Sequence, residues 1–358
     1  MKKLIILIIF IIPLQVRAIS AKSAIVMDLN SKRVLYQNNI NEKHLIASTT
    51  KIMTTLIALE NSDLNKIITV DEDVLKAYGS AIYIKVGEKI TLRDLLYGLM
   101  LRSGNDAAIV IAKSVAGSMN NFTNLMNLKA QNIGMTNTYF YNAHGLEEKD
   151  GKGNISTAYD MALLTREAMK NKTFRKIFKT KKYQAKTSDR NYLWTNKNKL
   201  LHNEKFITGG KTGFTKKAKR TLVTTGSKDN LDLVIVTLND PNDFNDHREL
   251  YNKYFKKYKN KILVSKKNFK INNEKYYKNN ELYIKNDITL PLTKEEQKNV
   301  KIDYELEKRN RCINNSKIGT AKIFFKNKLI NEEDIFVKCK KVNKLNTWNK
   351  LIGWFKKW

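Results

Sequence analysis

Proline and glycine are scarce, 3 and 15 residues in 358, which excludes collagen-like and low-complexity structure. Cysteine is scarcer still: Cys312 and Cys339 are the only two, both late in the chain. Two cysteines make no metal pattern, and neither an HExxH run nor paired Cys/His ligand spacing occurs, so no metal and no cofactor are expected. Spacing alone does not say whether the two sulfurs meet. Acidic residues are few beside basic ones, 34 against 66, leaving a formal net charge of +32. Lysine is spread along the whole chain rather than clustered, so a compositional bias accounts for the charge as well as an anionic partner does.

What is present begins with an address. Lys2 and Lys3 precede an apolar run over 4–14 that only Pro13 interrupts, and Val16-Arg17-Ala18 follows with residues a signal peptidase accepts. The run is too short to span a bilayer comfortably, so residues 1–18 are expected to be a cleaved secretory signal. Export changes the meaning of the charge. The protein would meet anionic lipid headgroups and acidic wall polymers at the outer face of the membrane, and no nucleic acid. It also makes a disulfide chemically accessible.

The mature chain is long enough for two domains. Residues 23–37 read as a hairpin of two short apolar strands, and 48–60 as a helix with Ile52, Leu56 and Leu59 at helical spacing. Further helices are expected over 92–101, 107–116, 122–133, 158–169 and 247–258, with buried strands at 221–224 and 233–237. Strands first and last with helices between predict an α/β (α+β) domain over 19–260, one mixed sheet with a helical layer. From 261 the helical period stops and short alternating stretches take over, predicting a small all-β domain over 261–342. Residues 343–358 place Trp348, Leu351, Ile352 and Phe355 opposite Lys350, Lys356 and Lys357. That is the pattern of an amphipathic helix lying on a membrane surface.

Three short motifs occur in order: Ser48-Thr49-Thr50-Lys51 at a helix start, Ser103-Gly104-Asn105 at another, and Lys211-Thr212-Gly213 beside an edge strand. Singly each is weak in so lysine-rich a chain. Together, in that order and each on a suitable element, they are a much stronger signal. Residues three apart on a helix share a face, so Ser48 and Lys51 can converge. Serine needs a base, and lysine serves only when neutral, a state that burial and a second cation such as Lys211 favour. Backbone N–H groups at the Ser48 helix start can hold an oxyanion. Gly213 would let a substrate backbone approach the strand.

These motifs, with the run over 101–108, Asn142-Ala143-His144-Gly145-Leu146 and Ser156-Thr157-Ala158-Tyr159-Asp160, resemble the low-molecular-mass penicillin-binding proteins that act as serine D-Ala-D-Ala carboxypeptidases (peptidase S11). The resemblance runs along nearly the whole mature chain and implies a β-lactamase/transpeptidase-like fold. It implies that Ser48 is the nucleophile, Lys51 its base and Ser103 a proton relay. Asn105 would position Lys51 and the substrate amide, and Lys211 and Thr212 would hold the terminal carboxylate. Gly213 and Phe214 would line the strand, with the Ser48 and Phe214 N–H groups as oxyanion donors. The implied partners are peptidoglycan stem peptides and β-lactam inhibitors.

Lys219-Arg220 departs from the family, which usually has glycine after the position of Ala218. The added bulk and charge bear on rate and substrate preference, not on the nucleophile. His144 and His202 are expected to be structural, and Asp160 to cap or orient a helix. The rival readings are a D,D-endopeptidase, a β-lactamase and a non-catalytic wall-binding scaffold. The motifs do not separate the first from a carboxypeptidase. No loop glutamate for fast deacylation favours the second, and intact motif residues weigh against the third.

Overall fold

The computed structural model describes residues 19–148, 150–271, 277, 280–309 and 311–340. The expected signal, 1–18, and the expected amphipathic helix, 343–358, lie outside the described residues.

Two apolar strands, β1 (Ser23–Asp28) and β2 (Val34–Asn38), form the anticipated hairpin. Three later strands, β3 (Ile207–Thr215), β4 (Lys219–Lys228) and β5 (Leu231–Leu238), complete a sheet in the order β2-β1-β5-β4-β3. Every pairing in it is antiparallel, which corrects the expectation of a mixed sheet. The turns between β3, β4 and β5 are short, and only antiparallel neighbours can be joined that way.

Alternation sends Ile25, Met27, Val234 and Val236 to one face of the sheet and Val26, Leu233 and Ile235 to the other. Both faces are covered, so the central strands read as unbroken apolar runs. On the first side lie α1 (Lys51–Asn61), α2 (Leu92–Arg102), α3 (Asn105–Ala116), α4 (Met119–Asn132), α5 (Ala158–Ala168) and α6 (Lys172–Phe178), with α5 and α6 directly on the sheet and the others packed with them in one core. Ile52, Leu56, Leu95 and Ile111 are among their fully buried residues, each worth about 1.5–3 kcal/mol of burial. Against the second face lies α7 (Asp243–Lys257), through Leu250, Tyr251, Tyr254 and Phe255. Helices therefore cover both sides of the sheet.

A hairpin of Lys182–Lys186 with Asn191–Thr195 carries no strong apolar period and was not foreseen. Its inward residues Tyr183 and Trp194 stack toward Tyr97 of α2, the two tyrosine rings 3.6 Å apart.

The β-rich remainder has its own core of Ile284, Ile318, Ile323, Ile335 and Val337. β6 (Lys259–Val264) pairs with β8 (Ile288–Leu292). β7 (Glu281–Ile284), β9 (Val300–Leu306), β10 (Lys317–Phe325) and β11 (Lys328–Lys338) form a sheet in the order β7-β11-β10-β9. Cys312 and Cys339 are bonded, with Cα atoms 5.9 Å apart, which answers what spacing left open. Arg33, in the first hairpin's turn, bonds Pro291 O and the Glu296 carboxylate and lies 4.3 Å over the Phe325 ring, joining the two cores. Among the described residues no helix is long and apolar enough to cross a membrane.

Candidate active site

The Ser48 turn is held from three sides. Residues Ala47–Thr50 form a 3-10 turn that runs into α1, and Ala47 itself is left-handed, φ +47°. Gly145 crosses directly beneath: at φ +89°, a Cβ there would stand 1.9 Å from Ala47 O. Gly213 closes the third side, since a Cβ at 213 would meet Thr221 Oγ1 at 2.3 Å and Ser48 N at 3.0 Å. Glycine is required at 213 by the fold's own close approach of β3 to the serine amide, as well as by any substrate.

Lys51 is fully buried. Its Nζ lies 3.0 Å from Ser48 Oγ, 2.8 Å from Asn105 Oδ1 and 2.6 Å from His144 O. Burial holds its pKa well below the ordinary value, reinforced by the charges of Lys211 and Lys197 and opposed by Asp106. The three contacts suit the neutral amine. Asn105 Oδ1 and His144 O can only accept, so they take its two N–H groups and leave the lone pair toward the Ser48 hydroxyl, which can donate.

Ser103 ends α2 in the left-handed conformation, φ +65°, its N–H donating to Gly98 O. Such a position favours glycine, and a serine there costs about 1–2 kcal/mol; it brings a hydroxyl to the cleft. Lys211, on edge strand β3, donates to Ser103 Oγ at 3.1 Å and to Thr212 O at 2.7 Å. Its pKa is lowered to about 7, by burial first and then by Lys197. Asn105 opens α3 and donates through Nδ2 to Tyr78 O at 2.6 Å, while its N–H bonds Ser80 O at 2.7 Å.

Ser48, Ser103, Thr212, Gly213 and Phe214 line one cleft of about 470 Å³, together with Ser80, Lys197, Lys199, Arg220, Asp243 and Phe244. Lys51, Asn105 and Lys211 stand behind its wall. All eight expected site residues are thus brought together. The Phe214 side chain is 63% exposed. Arg220 forms the far wall, bonded to Asp243 Oδ1 at 2.6 Å and lying over the Phe244 ring. With Lys197 and Lys199 it makes the cleft strongly cationic, suited to a substrate with a carboxylate.

Sequence reasoning missed several supports. Asp106 accepts from Ile82 N and Tyr83 N, pinning the loop before α2 to the start of α3; its place directly after Asn105 was the available signal. The His144 carbonyl left no signal, because any residue supplies one. The His144 ring is structural, its Nδ1 accepting from Leu146 N at 3.1 Å, and burial together with Lys51 pushes its pKa down to about 3. His202 bonds Asn196 O at 3.0 Å. Asp160 accepts from Asn137 N and Thr138 Oγ1, and its own N–H is taken by the Thr157 cap of α5, an orienting role.

A family model described as D-alanyl-D-alanine carboxypeptidase matches residues 12–242, and one described as the C-terminal domain of penicillin-binding protein 5 matches 258–343. The chain is 36% identical over 222 residues to D-alanyl-D-alanine carboxypeptidase DacF of Bacillus subtilis, a match covering 60% of this chain and 56% of that one. It therefore spans little more than half the length of that relative. A crystal structure of a Mycobacterium tuberculosis D-alanyl-D-alanine carboxypeptidase is 32% identical, with a TM-score of 0.64 over 67% of this chain and 92% of that one. Penicillin-binding protein 5 of Haemophilus influenzae, 24% identical, shares the fold over 90% of this chain and 97% of its own, with a TM-score of 0.74.

Proposed function

The chain belongs to the D-alanyl-D-alanine carboxypeptidase family, and from that premise we propose that it removes the terminal D-Ala from peptidoglycan stem peptides through a Ser48 acyl-enzyme. The observation that carries the reading is the Lys51 amine, its two N–H groups engaged by acceptors and its third direction facing Ser48 Oγ at 3.0 Å.

In this mechanism Ser48 Oγ attacks the carbonyl carbon of the penultimate D-Ala as its proton passes to Lys51. The Ser48 and Phe214 N–H groups stabilise the oxyanion. The C–N bond then breaks, and the leaving amine takes a proton through Ser103. Asn105 keeps Lys51 and the substrate amide in place, while Lys211 and Thr212 bind the terminal carboxylate. Water attacks the ester with Lys51 again as base and frees the serine. A β-lactam would form the same ester, but its amine stays tethered and blocks the water step, so the enzyme is arrested.

The organisation that goes with this reading is a signal over 1–18, a catalytic unit over 19–260, a β unit over 261–342 and a membrane-surface helix over 343–358. The protein would work outside the cytoplasmic membrane. The test is labelling of residues 19–358 with a fluorescent penicillin, wild type beside Ser48→Ala, while D-alanine release from a stem pentapeptide is measured. Ser48-dependent labelling with release is the expected result. Labelling with cleavage only of crosslinked muropeptides would make it an endopeptidase, rapid turnover of penicillin a β-lactamase, and no labelling a scaffold.

A further inference from the structure

At the start of α7 three aspartates crowd together, and only one has a cation. Asp243 holds Arg220. Asp240, with no exposure, and Asp246, 2% exposed, have no Lys, Arg or His partner among the described residues, in a chain with 66 Lys and Arg. Both carboxylates converge on one hydroxyl: Ser20 Oγ is 2.8 Å from Asp240 Oδ1 and 2.8 Å from Asp246 Oδ2. One hydroxyl carries one proton, so it donates to only one of them. The other donors to the pair are neutral, among them the Asn242 N–H to Asp240 Oδ1 at 3.0 Å and the Asn242 side-chain amide to Asp246 Oδ1 at 3.5 Å. Asp240 Oδ2 has no hydrogen-bond partner among the described residues although it is buried. The site is short of positive charge. Asp240 responds accordingly, its pKa pushed up to about 6 by burial and, in lesser part, by Asp246.

The missing charge has a source one residue away. The Ser20 N–H donates to Asp246 Oδ2 at 2.6 Å. Ile19, half-buried, packs against the core beneath α7, so its main chain is fixed. Covalent geometry then puts the Ile19 nitrogen within about 6 Å of that carboxylate oxygen, inside the range where an opposite charge is felt. Ile19 is also the residue that follows the expected signal-peptidase site.

We propose that the Asp240–Asp246 pair is a receiving site for a primary ammonium, the α-amino group of Ile19 released when the chain is cut after Ala18. The inference rests on the exported reading above. In the cut, water adds across the Ala18–Ile19 bond under a signal peptidase, leaving a carboxylate on Ala18 and an amine on Ile19. That amine is protonated at neutral pH, since an α-amino group titrates near 7.7–8.0. Before the cut the same nitrogen is an uncharged amide. Processing thus delivers a cation to a buried acidic pair on the helical turn whose Asp243 holds Arg220 at the cleft wall.

The test compares three forms of the full mature chain: one beginning at Ile19, one retaining Ala18, and one with Ala18→Gln cyclised to pyroglutamate, which has no terminal charge. The Ile19 form should melt about 2–4 °C above the other two, and the gap should close in an Asp240→Asn/Asp246→Asn background. The three forms melting within about 1 °C of one another with Asp240 and Asp246 intact, or a gap that survives the double substitution, would overturn the proposal. So would an exported protein whose N-terminus, read by sequencing, is not Ile19. Penicillin labelling of the same samples keeps the two ideas apart. Labelling without an amine-dependent shift removes only this inference, and a shift without labelling removes only the enzyme reading.

Discussion

Two buried lysines set the character of the site, and both are held below their ordinary pKa, by burial first, then by Lys211 and Lys197 in the case of Lys51 and by Lys197 in the case of Lys211. The sign of their effect on stability follows. Lys211 titrates near 7 when folded and near 10.4 when unfolded, so between those values the unfolded chain binds more protons and stability rises with pH. Below pH 7 the cost of burying the charge is carried in full. Lys211→Met, similar in volume and uncharged, should therefore raise the melting temperature at pH 7 by about 2–4 °C and flatten its rise between pH 7 and 10. It should also abolish penicillin labelling, because the substrate carboxylate loses its cation. A melting temperature that falls while labelling persists would refute the site as described. Ser48 and Lys51 were legible because residues three apart on a helix share a face, whereas Ser103, Asn105, Lys211, Thr212 and Phe214 were legible through the family resemblance of their motifs. Lys197, the Asp243 partner of Arg220 and the His144 carbonyl were not, since they reach the cleft from separate elements or through the backbone.

At the level of elements, the nucleophile depends on a turn that three chain segments squeeze. Gly145→Ala would force a Cβ to within 1.9 Å of Ala47 O from a left-handed backbone. The expected cost is about 1–3 kcal/mol of stability and a slowing of penicillin labelling by about 10²-fold, the penalty for displacing a reacting group by roughly 1 Å. Gly117→Ala is the control: also left-handed at φ +79°, with nothing within 4 Å of the added atom, it should cost stability alone. Time-resolved gel labelling and thermal melts of both variants check this. The long amphipathic helices and apolar strands were readable because their periods follow from burial on one face or two. The hairpin of Lys182–Lys186 with Asn191–Thr195 was hidden because exposed Leu193 stands between inward Tyr192 and Trp194 and blurs the alternation that marks a strand.

Over the whole molecule, the two cores meet through Arg33, whose guanidinium bonds Pro291 O and Glu296 and lies over Phe325. The β-rich unit is closed by the Cys312–Cys339 bond directly before the segment expected to lie on the membrane. Truncation after residue 342 should release fully labelled enzyme from anionic vesicles into the supernatant, as measured by sedimentation. Continued binding would place the membrane contact elsewhere, on the lysine-rich surface of the folded units.

Sequence by itself determined most of the long helices and central strands, the change from helical to strand period near residue 261, and which eight residues to look for in one cleft. Local periodicity and motif spacing are properties of neighbouring residues and survive without a fold. Only the tertiary structure decided that the sheet is antiparallel throughout and that the two cysteines are bonded. It alone showed that Lys51 faces acceptors on two sides and a hydroxyl on the third, and that Ser20 stands between two aspartates 220 and 226 residues later in the chain. Each of these depends on atoms far apart in sequence, whose meeting is set by packing.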